Sequence, residues 1–105
     1  MAKNKSIYRS LFLEKAREFI DTLTPSEQGK VQAQVEMMEM GKFDFVYTKP
    51  LKGPIKELVI GKYRFVFFIV KSVLYFVLAF IKKSQKTPKK YIEQAEGIYK
   101  IIEKK

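Results

Sequence analysis

The sequence predicts one α+β domain over residues 1–105: an N-terminal helical hairpin packed on a small antiparallel β-meander, followed by a C-terminal helix. Three observations carry this expectation. A stretch of helical apolar periodicity runs into a Thr-Pro-Ser-Glu helix start at residue 24, and a run of β-branched and aromatic residues fills Tyr63 to Ile81 with one interruption at Lys71-Ser72. A last helical stripe begins behind a second Thr-Pro, Thr87-Pro88. With 105 residues, 47% hydrophobic and 14% aromatic, the chain can fill one modest core.

Taken in order, a short strand is expected at Ser6–Tyr8. Phe12, Ala16, Phe19, Ile20 and Leu23 share one face of a helix that ends near Thr24. Thr24-Pro25-Ser26-Glu27 supplies a cap, a proline at the first helical position and a capping-box glutamate for the second helix, which Gly41 stops. Its methionines Met37, Met38 and Met40 read as core filler rather than as a partner groove. Gly41 to Pro54 reads as a loop bearing Lys42, Lys49 and Lys52. Ile55–Ile60, Tyr63–Val70 and Val73–Ile81 are three strands turning at Gly61-Lys62, a Gly-first pair suited to a type II′ turn, and at Lys71-Ser72. With both turns tight, Arg64 lies opposite Val59 on one side and Ala79 on the other. Apolar residues at both parities require both sheet faces to be covered, and Ile92, Ala95, Tyr99 and Ile102 form the stripe of the helix that covers the second.

The same apolar run raises the question of a membrane. Phe65 to Ile81 is 17 residues with Lys71 in its interior, whereas a spanning helix takes about 20 apolar residues and a charge at mid-depth costs several kcal/mol. Strands are the expectation, with no membrane partner. The polar start MAKNKSIYRS has no apolar run of signal-peptide length, so a cytoplasmic location is expected. There is no cysteine and no histidine, which removes thiol sites and the commonest zinc ligand and general base. No metal or cofactor is called for, and chemistry falls to Lys, Arg, Asp, Glu or Tyr.

Charge is unevenly placed. The net charge is +10, yet residues 1–41 carry 6 basic and 6 acidic side chains, residues 42–81 carry 7 against 2, and residues 82–105 carry 8 against 3. A surplus confined to the second half points to a polyanion-facing surface, with nucleic acid ahead of an anionic membrane or an acidic protein. FIKKSQKTP, Phe80 to Pro88, brings Lys82, Lys83 and Lys86 together beside Gln85 at the end of the last strand. Arg64, inside an apolar strand, is expected on the face of Ala79, Ile81 and Lys83; its alternative employment is a structural pair with Glu57.

ELVIGKYRFVFF followed by LAFIKKSQKTPKKYIEQAEGIY resembles the second half of HigB-type toxins of the RelE/ParE superfamily, in which an ELR strand, a YR strand and an F-x-KK-x-x-KTP tail precede an I-x-x-A helix. The resemblance implies a RelE/ParE-like fold and the toxin of a type II toxin–antitoxin pair. That toxin would be a ribosome-dependent mRNA endonuclease, acting on ribosome-bound mRNA and arresting translation and growth. Its implied partner is a HigA-like helix-turn-helix antitoxin, in a complex expected to be a heterotetramer. The resemblance further implies catalytic roles for Arg64, Lys82, Lys83 and Lys86 and RNA contacts for Lys49, Lys52, Lys62 and Gln85. Where the ELR motif has arginine this sequence has Val59, and the histidine that some relatives use is absent. A ParE-like gyrase inhibitor and a non-enzymatic basic nucleic-acid binder remain as alternatives.

Overall fold

A computed structural model describes residues 6–105; the start of the polar MAKNKSIYRS segment, residues 1–5, lies outside the described residues. The elements are β1 (Arg9–Phe12), α1 (Glu14–Asp21), α2 (Pro25–Glu39), a 3₁₀ turn (Phe43–Phe45), β2 (Tyr47–Lys52), β3 (Ile55–Ile60), β4 (Tyr63–Val70), β5 (Val73–Ile81) and α3 (Lys89–Glu103). The expected α+β class and the boundaries of the three meander strands hold.

The sheet is larger than the meander. Five strands run in the order β1-β5-β4-β3-β2, with β1 parallel to β5 and the other pairs antiparallel. The N-terminal strand is Arg9–Phe12, not Ser6–Tyr8, so Phe12 belongs to β1, where its ring stacks on Phe76 at 4.7 Å. The expected loop from Gly41 to Pro54 contains the 3₁₀ turn and β2. β2 escapes a pattern reading because it is an edge strand: Pro50 is tolerated where one side needs no ladder bond, and a register shift follows between Pro50 and Lys52.

Two cores form, one on each side of β4. Phe65 and Phe67 point to α1 and α2, packing with Ala16, Val31, Val35, Met38 and Phe76. Val66 and Phe68 point to α3, packing with Ile55, Val77, Leu78 and Ala95. Each of the fully buried phenylalanines 65, 67, 68 and 76 contributes roughly 1.5–3 kcal/mol by leaving water. Met38 is fully buried, consistent with the core-filler reading. α2 opens with the expected capping box and closes at Gly41, whose φ of 75° and a Cβ contact of 2.9 Å to Ile7 both favour glycine.

Register decides what faces what. Val59 pairs with Arg64 across β3–β4 as expected, with Gly61 at positive φ in the turn. Across β4–β5 the tight register holds from Val70↔Val73 to Phe67↔Phe76, but Val66 then pairs with Leu78. Val77 is the extra residue of a β-bulge. Arg64 therefore sits opposite Phe80, not Ala79. The reason lies in the core: Val77 and Leu78, adjacent in sequence, both bury against α3, which uninterrupted alternation forbids. Among the described residues no helix is long and apolar enough to cross a membrane.

Candidate functional site

The bulge reassigns the lysines. Beyond Val77 every β5 side chain is on the opposite face from the expected one, so Phe80 and the following Lys82 share the α3 side with Arg64. A shallow depression there is lined by Lys49 from β2, Glu57 from β3, Arg64 from β4 and Phe80, Lys82, Ser84, Gln85, Lys86 and Thr87 after them. Its enclosed volume is only about 10 Å³, so a ligand would lie over it rather than inside it. Lys83 instead lines an adjoining cleft of about 390 Å³ with Phe19, Ala79, Ile81, Pro88 and Tyr91; Phe80, Ser84 and Lys86 border both.

Arg64 is the anchored member. Only 7% of it is exposed, and Glu57 beside it is 3% exposed. Glu57 Oε2 lies 3.8 Å from Arg64 Nε, an ion pair without hydrogen-bond contact. Nη1 donates to the Gly61 carbonyl at 2.7 Å and to the Tyr63 carbonyl at 3.0 Å. Among the described residues no protein group accepts from Nη2, and Arg64 lines the depression. The guanidinium is thus fixed through Nη1, with Nε beside Glu57, and Nη2 is left for a ligand. Both readings of Arg64 meet here: it pairs with Glu57 and still faces the lysines.

Glu57 does a second job. Its Oε1 accepts the Thr87 hydroxyl at 2.5 Å, joining positions 30 residues apart. Thr87 is therefore not the helix cap that Thr87-Pro88 suggested; Pro88 holds the cap position without a side-chain bond, and the threonine ties the KKSQK segment to β3. Within that segment Ser84 Oγ donates to the Lys86 carbonyl at 3.0 Å. Lys82, Lys83, Gln85 and Lys86 are exposed, as ligands for a polyanion must be.

Of the residues expected to contact RNA, Lys49 and Gln85 reach the depression. Lys52, exposed, pairs with Glu96 of α3 at 3.3 Å, and Lys62 lies over the Tyr63 ring on the α2 side. One exposed group that pattern reading passed over is Tyr47 of β2, with Lys49 Nζ 5.8 Å from its ring centre. Its signal was a tyrosine two residues before a lysine, in a segment read as loop.

Beyond residue 41 the chain carries 15 basic and 5 acidic side chains, and Glu57 and Glu96 are already engaged. The arrangement can bind a phosphate chain across Lys49, Arg64, Lys82 and Lys86, with one rigid guanidinium and flexible ammonium groups around it.

Comparison with known proteins agrees with the fold. A chain of the crystal structure of the toxin–antitoxin complex RelBE2 from Mycobacterium tuberculosis superposes with a TM-score of 0.51 at 19% identity, covering 78% of this chain and 100% of that one. At that identity the likeness is one of fold, and the fold is RelE-like. No curated protein matches the sequence. Residues 18–100, from within α1 to within α3 and including every residue of the depression, match the family model described as Phage derived protein Gp49-like (DUF891). The chain belongs to the Gp49-like, phage-derived family.

Proposed function

We propose that the protein is the toxin of a type II toxin–antitoxin pair and that it cleaves mRNA on the translating ribosome. The observation that carries the reading is Arg64: a buried guanidinium held through Nη1, with Nη2 taken by no protein group among the described residues, set among Lys49, Lys82 and Lys86. The family membership and the RelE-like fold support it, and the fold match belongs to a toxin–antitoxin complex.

The chemistry is transesterification within the RNA. The 2′-oxygen loses its proton and forms a bond to the adjacent phosphorus, and the P–O5′ bond breaks as the 5′-oxygen takes up a proton. The products are a 2′,3′-cyclic phosphate and a 5′-hydroxyl. The reaction needs in-line placement of the two oxygens, stabilisation of charge on the phosphorane and two proton transfers. In this chain Arg64 Nη2 stabilises the phosphorane, Lys82 and Lys86 hold the flanking phosphates and exchange protons, and Lys49 and Gln85 extend the track. Lys83, turned into the neighbouring cleft, serves RNA outside the cleaved linkage. A HigA-like helix-turn-helix antitoxin, in a heterotetrameric complex, would silence the toxin by masking this basic surface.

Primer extension on translating mRNA tests the reading: wild-type protein gives discrete cuts and Arg64→Lys reduces them by at least tenfold. Wild-type protein that yields no cuts overturns it. The rival is ParE-like gyrase inhibition, favoured by one observation, that Val59 occupies the strand position opposite Arg64 where the ELR motif carries a second guanidinium. Induction that leaves translation intact and triggers a DNA-damage response selects the rival. Salt-sensitive binding to any polyanion without cuts or gyrase effects leaves a non-enzymatic binder.

A further inference from the structure

Tyr47, Val59, Arg64 and Phe80 are consecutive partners across four strands and so share one sheet face. Neighbouring strands are about 4.8 Å apart, which puts Tyr47 roughly 10 Å from Arg64 along this row. Between them stands Val59, a short side chain that raises no wall. Tyr47 is 58% exposed at the open edge of the sheet, and Phe45, two residues before it, is 68% exposed. Lys49 places its ammonium 5.8 Å from the Tyr47 ring centre and also lines the Arg64 depression, so cationic and aromatic surface are continuous. An exposed ring beside a cationic track is the combination that binds single-stranded nucleic acid, because each base has a face to stack while its phosphate meets the cation.

We propose that Tyr47 is a stacking platform for one unpaired base of the RNA, while Lys49 and Arg64 hold the phosphates beside it. The proposal deepens the nuclease reading by naming the part of the site that grips a base, and its RNA contact can be measured apart from cleavage. The platform accepts any base by its face and so favours a flipped-out, single-stranded nucleotide over a duplex.

The chain contains no tryptophan, so Tyr47→Trp installs a single fluorophore at the platform. Adding single-stranded oligo(A) RNA quenches its emission, whereas heparin, a polyanion without bases, binds the same lysines and leaves the emission unquenched. In primer extension on translating mRNA, Tyr47→Ala lowers cutting about 10- to 100-fold and Tyr47→Phe stays within about threefold of wild type, as expected for loss and retention of one stacked base. Each variant is melted first to show that it remains folded.

Quenching that is absent, or equal for heparin and RNA, overturns the platform. So does Tyr47→Ala cutting at the wild-type rate while wild-type protein cuts. If wild-type protein cuts nothing, the nuclease reading falls and the RNA-specific quench alone decides the platform. If Tyr47→Ala retains cutting but escapes neutralisation by an antitoxin, the ring is a protein contact and the platform is refuted.

Discussion

Glu57 stands between two parts of the molecule, its Oε2 3.8 Å from Arg64 Nε and its Oε1 on the Thr87 hydroxyl. Their side chains are 4% and 8% exposed, so removing one charge strands the other away from water. Glu57→Ala should cost about 3–5 kcal/mol, measured by urea unfolding. The double substitution Glu57→Ala/Arg64→Met should be more stable than Glu57→Ala, because no lone charge remains. A Glu57→Ala midpoint indistinguishable from wild type would show that the pair carries no such coupling.

The bulge at Val77 yields a contrast between adjacent lysines. Lys82 shares the face of Arg64, whereas Lys83 lines the cleft beside Phe19 and Tyr91. Lys82→Ala should therefore reduce mRNA cutting by about 10- to 100-fold, in the range of one lost general-acid or charge contact. Lys83→Ala should reduce it less than fivefold. Primer extension with both proteins at matched concentration decides it, and a larger loss for Lys83 would reject the assignment of catalytic residues by face.

How much of this was legible in the residues depends on where each signal was local. Strands 55–60, 63–70 and 73–81 announce themselves by β-branched and aromatic content broken by turns, and the capping box at Thr24–Glu27 is a four-residue signal. The bulge is not local: it exists because Val77 and Leu78 both find room under α3, and only the packed structure supplies that fact. For this reason Arg64 was legible as a lone charge within an apolar strand while its neighbour on β5 was off by one, Phe80 in place of Ala79. β2 was hidden for another reason. An edge strand with Pro50 and three polar or charged positions lacks apolar alternation, and it forms by backbone pairing with β3 across Gly53-Pro54, which leaves no side-chain pattern to read. Tyr47 went unread with it.

The β4–β5 turn is a place where the chain resists its own sequence. Lys71 and Ser72 adopt φ of 49° and 66°, a left-handed pair that suits Asn-Gly in a type I′ hairpin. Left-handed backbone costs about 1 kcal/mol or more at an ordinary residue. Lys71→Asn/Ser72→Gly should raise stability by about 1–2 kcal/mol in chemical denaturation, without changing cutting, since the turn lies at the opposite end of β5 from Lys82. Equal or lower stability would show that the turn is not strained.

Tyr63 donates to Glu27 at 2.6 Å, linking β4 to the first turn of α2. Accepting that hydroxyl, with the Thr24 amide next in weight, holds the Glu27 carboxyl below its ordinary 4.5, and the same bond raises the Tyr63 hydroxyl above its ordinary 10.0. The signs fix a window. A lowered carboxyl stabilises the fold above its unfolded value and loses that contribution as pH falls through the folded one; a raised tyrosine stabilises below its unfolded value and loses it as pH rises through the folded one. The bond therefore contributes fully between the two ordinary values and fades outside them. Tyr63→Phe should melt below wild type near pH 7, and the gap should narrow as pH falls below 4.5 or climbs beyond 10.0. Thermal melts of both proteins across that range test it, and a gap that stays constant from pH 3 to pH 7 would mean that packing of the ring, not the proton shared with Glu27, fixes α2 to the sheet.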